Sequence, residues 1–178
     1  MSGILVVACA LLIAFVNSKP DKFVQTDTNI NKETIIVAGP TYVVPMKNAT
    51  IAKDYSATEL QFNDSLKQWE IHKAIDFIAN EDKNVYTISN GTVSNIYTNY
   101  LEGTVIEISH NNGLVSVYKS LSKDVSVAVG DKVSAGQIIG NVSSSMAQEL
   151  NSGNHLHFEL LKNGNKINPN DYLDLGTK

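Results

Sequence analysis

The chain has 178 residues, 43% of them apolar and 18% charged, with a formal net charge of −4. That length predicts one domain, or one domain with an appendage, and the composition excludes wholesale disorder and collagen-like repeats. All fourteen basic residues are Lys and the acidic residues outnumber them, which excludes a basic nucleic-acid footprint and bidentate Arg clamps, while the single Cys9 excludes an intramolecular disulfide, a four-Cys zinc site and a redox CxxC.

Residues 1–17 open the chain with an uncharged run, Gly3 to Val16. As a helix it covers about 21 Å at ~1.5 Å per residue, short of the ~30 Å hydrocarbon core. Its length suits the apolar region of a signal peptide, but nothing basic precedes Gly3, and Lys19 and Lys22 follow it. The expectation is a single membrane anchor, shortened at its start, with the C-terminal side exported. Val6-Val7-Ala8-Cys9 fits a lipobox-like pattern, yet Leu11 to Val16 continue the apolar run, which favours a buried membrane Cys. Residues 18–40 are polar with one short apolar burst, Ile35 to Val37, and read as an extended linker.

From residue 41 to 178 the pattern predicts one β-rich domain. Tyr42 to Val44 reads as a strand stopped by Pro45. Thr58 to Ile78 is ambiguous: Ile71, Ile75 and Ile78 recur at helical spacing, and the competing reading is strand–turn–strand with the turn around His72 to Ala74. Thr92 to Tyr97 alternates loosely. Gly103 to His110 and Leu114 to Lys119 alternate cleanly around Asn111-Asn112-Gly113, which predicts a β-hairpin. Val125 to Asp131, Gly136 to Val142 and His155 to Lys162 follow as further strands. Ser143 to Gly153 is a polar loop placed to lie over a site. Short strands with Gly or Asn turns predict an all-β, mainly antiparallel sandwich or barrel-like sheet.

Two short motifs carry the chemistry: His72-Lys-Ala-Ile-Asp76 and His155-Leu-His157. On a strand, residues 155 and 157 share one face, about 6.6–6.8 Å apart. In a flat strand residues 72 and 76 would lie about 13 Å apart, too far to share an ion at bonds of roughly 2 Å. If both ligate, the chain bends between them, or is helical there. Either motif alone is common in proteins that bind no metal. Three of the four histidines fall in these two motifs, and two His with one carboxylate is a zinc-hydrolase arrangement with an open fourth position. His110, in Ser-His-Asn-Asn-Gly, reads as a solvated turn histidine.

Residues 69–173 resemble the LytM or lysostaphin-like family of zinc peptidases that cut peptidoglycan cross-bridges. The resemblance rests on the two motifs above, on Ile106-Glu-Ile-Ser-His-Asn-Asn-Gly, on Val129-Gly-Asp-Lys-Val-Ser-Ala-Gly-Gln-Ile-Ile-Gly, on Gly153-Asn-His-Leu-His-Phe-Glu and on Asn168-Pro-Asn-Asp-Tyr-Leu. It implies a LytM-like barrel-sandwich hybrid with zinc in a groove. By position, His72, Asp76 and His157 are the implied ligands and His155 the implied catalytic histidine. Two departures stand out. Ala74 replaces a Gly of the family motif. Ser120, in Tyr118-Lys-Ser-Leu121, stands where the family places a second catalytic histidine, and a hydroxyl cannot replace a charged imidazole beside an oxyanion. His110 lies at the far end of a strand of about 17–20 Å and cannot substitute.

The layout of one anchor, a linker and one compact domain is similar to that of the stage II sporulation protein Q group of clostridia. Asp54-Tyr55-Ser56 and the Glu59 to Trp69 insertion add to that similarity. It implies a forespore membrane protein with its C-terminal domain in the intermembrane space, paired there with a domain like that of stage III sporulation protein AH during engulfment. Three functions stay open: an active zinc endopeptidase acting on peptidoglycan, a partner-binding module, and a regulator of a separate amidase.

Overall fold

In a computed structural model of the chain, residues 42–176 are described, and their regular structure is twelve β-strands with three short 3₁₀ turns. The predicted anchor (1–17) and linker (18–40) lie outside the described residues. Among the described residues no helix is long and apolar enough to cross a membrane.

The strands are β1 (Ala49–Lys53), β2 (Leu60–Asn63), β3 (Gln68–Ile71), β4 (Ile75–Ala79), β5 (Asn84–Tyr86) and β6 (Gly91–Asn99). They continue as β7 (Gly103–Ser109), β8 (Leu114–Leu121), β9 (Lys132–Val133), β10 (Ile138–Asn141), β11 (His155–Lys162) and β12 (Asn165–Ile167). The main sheet runs β1-β4-β11-β8-β7-β6-β9, with β12 paired to β11; β2–β3 and β5–β10 form two small sheets. Every pairing is antiparallel.

The predicted β-class and the β7–β8 hairpin are present. In the ambiguous stretch the strand–turn–strand reading holds: β3 ends at Ile71, the chain bends over 72–74, and β4 begins at Ile75. The helical recurrence of Ile71, Ile75 and Ile78 is therefore incidental. Two predicted strands are absent. Tyr42 to Val44 makes one backbone bond, Val43 N–H to Ile88 O at 2.8 Å, and no ladder. Val125 to Asp131 is irregular: Ser126 N–H bonds Ile139 O, Ala128 N–H bonds the Asp131 carboxylate, and Val125 and Val127 pack on the core. Its apolar alternation is satisfied by packing, without a continuous partner strand. The loose alternation at 92–97 has a cause too, a register shift between Val93 and Asn95 against β7.

β11 sits between β4 and β8 and is buried on both faces over His155 to Leu160. Alternation sends Leu156, Phe158 and Leu160 into the hydrophobic core with Ile75, Phe77 and Tyr118. The same alternation turns His155, His157 and Glu159 to the opposite face. β4 does likewise, with Asp76 between Ile75 and Phe77 and in register with His157.

Tyr118 shows how the core is closed. Its ring lies 5.3 Å from that of Phe158, and its hydroxyl accepts the Ile88 N–H at 3.0 Å. Full burial pushes the phenol up to about 12, so it stays neutral. Tyr118→Phe keeps the ring and strands the Ile88 N–H, a loss expected at ~1–3 kcal/mol. Denaturant titration should show a lower midpoint with an unchanged slope; a midpoint equal to that of the native chain would mean that the hydroxyl is not what satisfies Ile88.

Candidate metal centre

The site is built from β4, β11 and the segments on either side of them. His72 lies in the bend between β3 and β4, and that bend brings its Nε2 to 3.3 Å from Asp76 Oδ1. His157 Nδ1 lies 2.9 Å from the same Asp76 oxygen. Of the two solutions that the motif spacing left open, a bend or a helical turn, the chain uses the bend. Ala74, at its end, is 1% exposed and does not adopt a positive φ, so the missing Gly costs no backbone strain.

Each imidazole is held from behind. His72 Nδ1 donates to the Asp54 carbonyl at 3.3 Å, and His72 O accepts the Ser56 N–H. The Asp54-Tyr55-Ser56 segment thus aims His72 Nε2 at the cluster. His157 Nε2 faces Glu159 Oε1 at 3.2 Å, and Glu159 is itself paired with Lys119 at 2.9 Å and Lys166 at 2.8 Å. A carboxylate behind the far ring nitrogen is the usual way to orient a metal-ligating histidine.

The sequence reading missed Glu149. It lies in the loop after β10, is 2% exposed, and joins His72, Asp76 and His157 in one buried group whose ligand atoms all lie within 4.8 Å of one another. Its Oε2 is 3.1 Å from His157 Nδ1 and its Oε1 is 3.7 Å from His72 Nε2. Lys53 Nζ balances it at 3.2 Å, and lies 3.9 Å from Asp76 Oδ2. No sequence pattern marked this residue, since a single Glu in a Ser- and Asn-rich loop reads as solvated. Glu159 could have been found, because it continues the His155, His157 alternation by one step.

Burial alone would raise the Asp76 carboxyl, but the hydrogen bond from His157 and the neighbouring His72 imidazole hold it below the ordinary range. Glu149 is opposed by burial and pulled down by His155, His157 and Lys53. Glu159 is opposed by burial and pulled down by His157, Lys119 and Lys166. For His157, burial pushes its pKa down, while hydrogen bonds to Asp76, Glu149 and Glu159 outweigh it and hold it well above the ordinary imidazole value. The three carboxylates and the His157 imidazolium thus favour one another's charged forms. Two polar atoms in it, His72 Nε2 and Asp76 Oδ2, are buried without a hydrogen-bond partner. Orphaned donor atoms converging with carboxylates and a second imidazole fit a divalent cation, which would take the place of the His157 proton.

His155 borders the same group. Its Nδ1 donates to Gly153 O at 2.9 Å, and its Nε2 lies 3.2 Å from Glu149 Oε2. Ser120 is fully buried, at φ 63°, in a bulge of β8 opposite Thr104 and Ile106. Its hydroxyl donates to Ser143 O at 2.8 Å, the carbonyl that also accepts the His155 N–H. A bulge beside a site re-aims a side chain; here the side chain is short and engaged with backbone. His110 is not a solvated turn residue. Its Nδ1 donates to Asn90 O at 2.9 Å, and its Nε2 lies 2.7 Å from Ser116 Oγ. It does stand at the far end of the ladder, since β11 pairs Lys162 with Leu114 and His157 with Lys119. A cleft of about 430 Å³ leads to His157 and Glu149, lined by Leu66, Glu70, Lys73, Met146 and Lys166 among others.

Residues 70–169 match the sequence model of Peptidase family M23. Over 145 residues the chain is 34% identical to stage II sporulation protein Q of Bacillus subtilis (strain 168), covering 74% of this chain and 49% of that protein. It is 38% identical over 94 residues to the glycyl-glycine endopeptidase ALE-1 of Staphylococcus capitis, covering 52% of this chain and 25% of that protein. The chain thus spans about half the length of the first of these relatives and a quarter of the second. Among solved structures, a chain of the SpoIIQ–SpoIIIAH pore-forming complex superimposes with a TM-score of 0.63 at 29% identity, covering 75% of this chain and 91% of that chain. The match runs from the strand before His72 to the turn after β12 and takes in every residue of the buried group, so the chain belongs to Peptidase family M23.

Proposed function

We propose that this chain is a membrane-anchored, extracytoplasmic zinc-binding domain that acts in sporulation by docking a partner, with peptidoglycan hydrolysis weak or lost. The observation that carries this reading is the contrast at the site. His72, Asp76 and His157 are together and orphan two polar atoms, while position 120 offers a buried hydroxyl where the family's second catalytic imidazole is expected. The similarity to stage II sporulation protein Q supports the sporulation role, and the likeness to a chain solved with SpoIIIAH supports a partner of the SpoIIIAH type. The uncharged run Gly3 to Val16 supports the anchor.

His72, Asp76 and His157 would hold the zinc. A zinc ion in such a site polarises a bound carbonyl and lowers the pKa of bound water. The residues around it do the rest. Asp54 O and Glu159 fix the two rings, and the Gly153 carbonyl fixes His155 so that its Nε2 can hold or pass a proton at the cluster. Ser120 has no titratable group to oppose a developing oxyanion.

A second reading, an active endopeptidase cutting peptidoglycan cross-bridges, is favoured by one feature: His155 keeps its place beside the ligands, with a cleft leading to them. Losing one donor that stabilises the transition state costs on the order of 10²–10³-fold in rate, so a residual activity above background is compatible with the metal and positioning effects that remain.

The full chain, purified without chelator, should contain one zinc per molecule by elemental analysis, and His72→Ser should reduce that content strongly; a folded, metal-free native chain refutes the zinc reading. Cell-wall suspensions should clear feebly or not at all. A SpoIIIAH-type domain should bind, and His155→Ala should leave that binding within a few-fold of native. Clearing at the rate of an intact family enzyme, with no partner bound, would reverse the order of the two readings. Fractionation of sporulating cells should place the chain in the membrane fraction, with residues 41–178 open to protease added from outside the cytoplasm; a wholly cytosolic chain would contradict the anchor.

A further inference from the structure

Three protein ligands leave one position of a four-coordinate zinc for water or substrate. Glu149 is the one further residue whose side chain joins His72, Asp76 and His157 in the buried group. Zinc bonds of ~2.0–2.2 Å set neighbouring tetrahedral ligand atoms about 3.3–3.5 Å apart. His72 Nε2 to Asp76 Oδ1 is 3.3 Å and His157 Nδ1 to Asp76 Oδ1 is 2.9 Å. The corresponding distances to Glu149 are 3.1 Å from His157 Nδ1 and 3.7 Å from His72 Nε2. Asp76 reaches both imidazoles with one oxygen, Oδ1, whereas Glu149 reaches His157 with Oε2 and His72 with Oε1, at a range close to that of Asp76, and one ligand atom from each of the four residues lies within 4.8 Å of the others. A general base would sit one hydrogen bond beyond a bound water, a further ~2.6–3.2 Å out, whereas the Glu149 oxygens lie 3.1 and 3.7 Å from the two ring nitrogens, a range suited to direct ligation.

The loop that carries Glu149 is held on both flanks. On one side the β2–β3 hairpin grips it: Asn63 Nδ2 donates to Gln148 O at 3.1 Å, Ser65 Oγ accepts the Asn151 N–H at 2.9 Å, and Asp64 Oδ2 accepts from Asn151 Nδ2 at 2.7 Å. On the other side the turn between β6 and β7 accepts the Ala147 N–H at Tyr100 O and the Gln148 N–H at Leu101 O. Within the 3₁₀ segment Ala147–Ser152 the backbone departs from helical geometry at Glu149 alone, with φ −133° and ψ 35°. A side chain 2% exposed on a clamped loop, with His155 Nε2 and Lys53 Nζ each 3.2 Å from its oxygens, is placed and not wandering.

We propose that Glu149 is a fourth protein ligand, which closes the position that hydrolysis needs and turns a catalytic type of zinc site into a structural one. This rests on the zinc binding proposed above. His155 then acts as a positioning residue that orients the Glu149 carboxylate, in the manner of the outer hydrogen-bond partners common at metal sites.

The test uses the full chain loaded with Co²⁺ in place of zinc, with azide as the probe for an open position. The native protein should show the visible spectrum of four-coordinate cobalt, unchanged by azide. Glu149→Gln and Glu149→Ala, each checked for native circular dichroism, should still bind cobalt, with affinity lower by at least the ~10–100-fold that loss of an outer partner costs, and their spectra should shift as azide binds. A native spectrum that shifts with azide as readily as the variants overturns the fourth ligand while leaving the three-residue site intact. Variants with native affinity and no response to azide also overturn it. A folded native chain that takes up no cobalt overturns this inference together with the metal reading on which it rests.

Discussion

His157 is held by carboxylates through both ring nitrogens: Asp76 at 2.9 Å and Glu149 at 3.1 Å from Nδ1, and Glu159 at 3.2 Å from Nε2. All three carboxylates are buried. Charges in such a place are stable only when paired, and removing one partner leaves the others uncompensated. The rest of the site follows from this need. Lys53 sits over Glu149 and Asp76, and Lys119 and Lys166 sit over Glu159. Asp54 turns its backbone carbonyl to His72. What remains without a hydrogen bond is His72 Nε2 and Asp76 Oδ2, the two atoms that a cation would satisfy.

The fold meets this demand through one strand. β11 puts its even residues into the core and its odd residues into the site, so the packing of Phe158 against Tyr118 and Phe77 fixes the height and rotation of His155, His157 and Glu159. β4 repeats the device with Asp76 between Ile75 and Phe77. Ligands mounted on strands that are buried on both faces move little, which is what a metal site needs. The opposite side of the cluster is closed by loop and hairpin, elements that are usually mobile. Here they are tied to each other through Asn63, Asp64, Ser65 and Asn151.

Features that repeat along the chain were legible in the sequence. The β7–β8 hairpin could be read because its alternation is continuous. The β11 strand could be read because His155 and His157 fall two apart. Arithmetic excluded a flat strand between residues 72 and 76 if both reach one ion, but it left a bend and a helical turn equally open. Features set by tertiary contact were not legible. Val125 to Asp131 alternates like a strand, yet its N–H groups bond to β10, to β6 and to its own turn. Glu149 carries no local mark, because nothing in the run before His155 and His157 tells that the loop folds back to bury this carboxylate against them and against the distant Lys53. Burial can turn a loop carboxylate into a site residue, and burial of a loop is the property that periodicity does not report.

Ser120 and Glu149 bear on the same question from opposite sides of the cluster. On the proposed reading, Ser120 leaves a hydroxyl where an imidazole would stabilise charge as it develops. Glu149 supplies charge where a reacting oxygen would have to enter. Either change alone leaves a route to partial activity, since a weak enzyme can keep its metal and an occupied position can in principle be vacated. With both, the domain would on that reading hold its ligands and their supports without the groups that turnover needs. Keeping such a site still has a physical reason. An ion bound only by the folded state stabilises it by mass action, and this ion would tie the β3–β4 bend, β4, β11 and the Glu149 loop into one unit. That unit includes the β2–β3 hairpin, which exposes Leu60, Phe62 and Trp69 at 58%, 42% and 66%. An apolar hairpin tied to such a unit would pay less entropy if a partner covered it, so on the proposed reading the metal would serve binding.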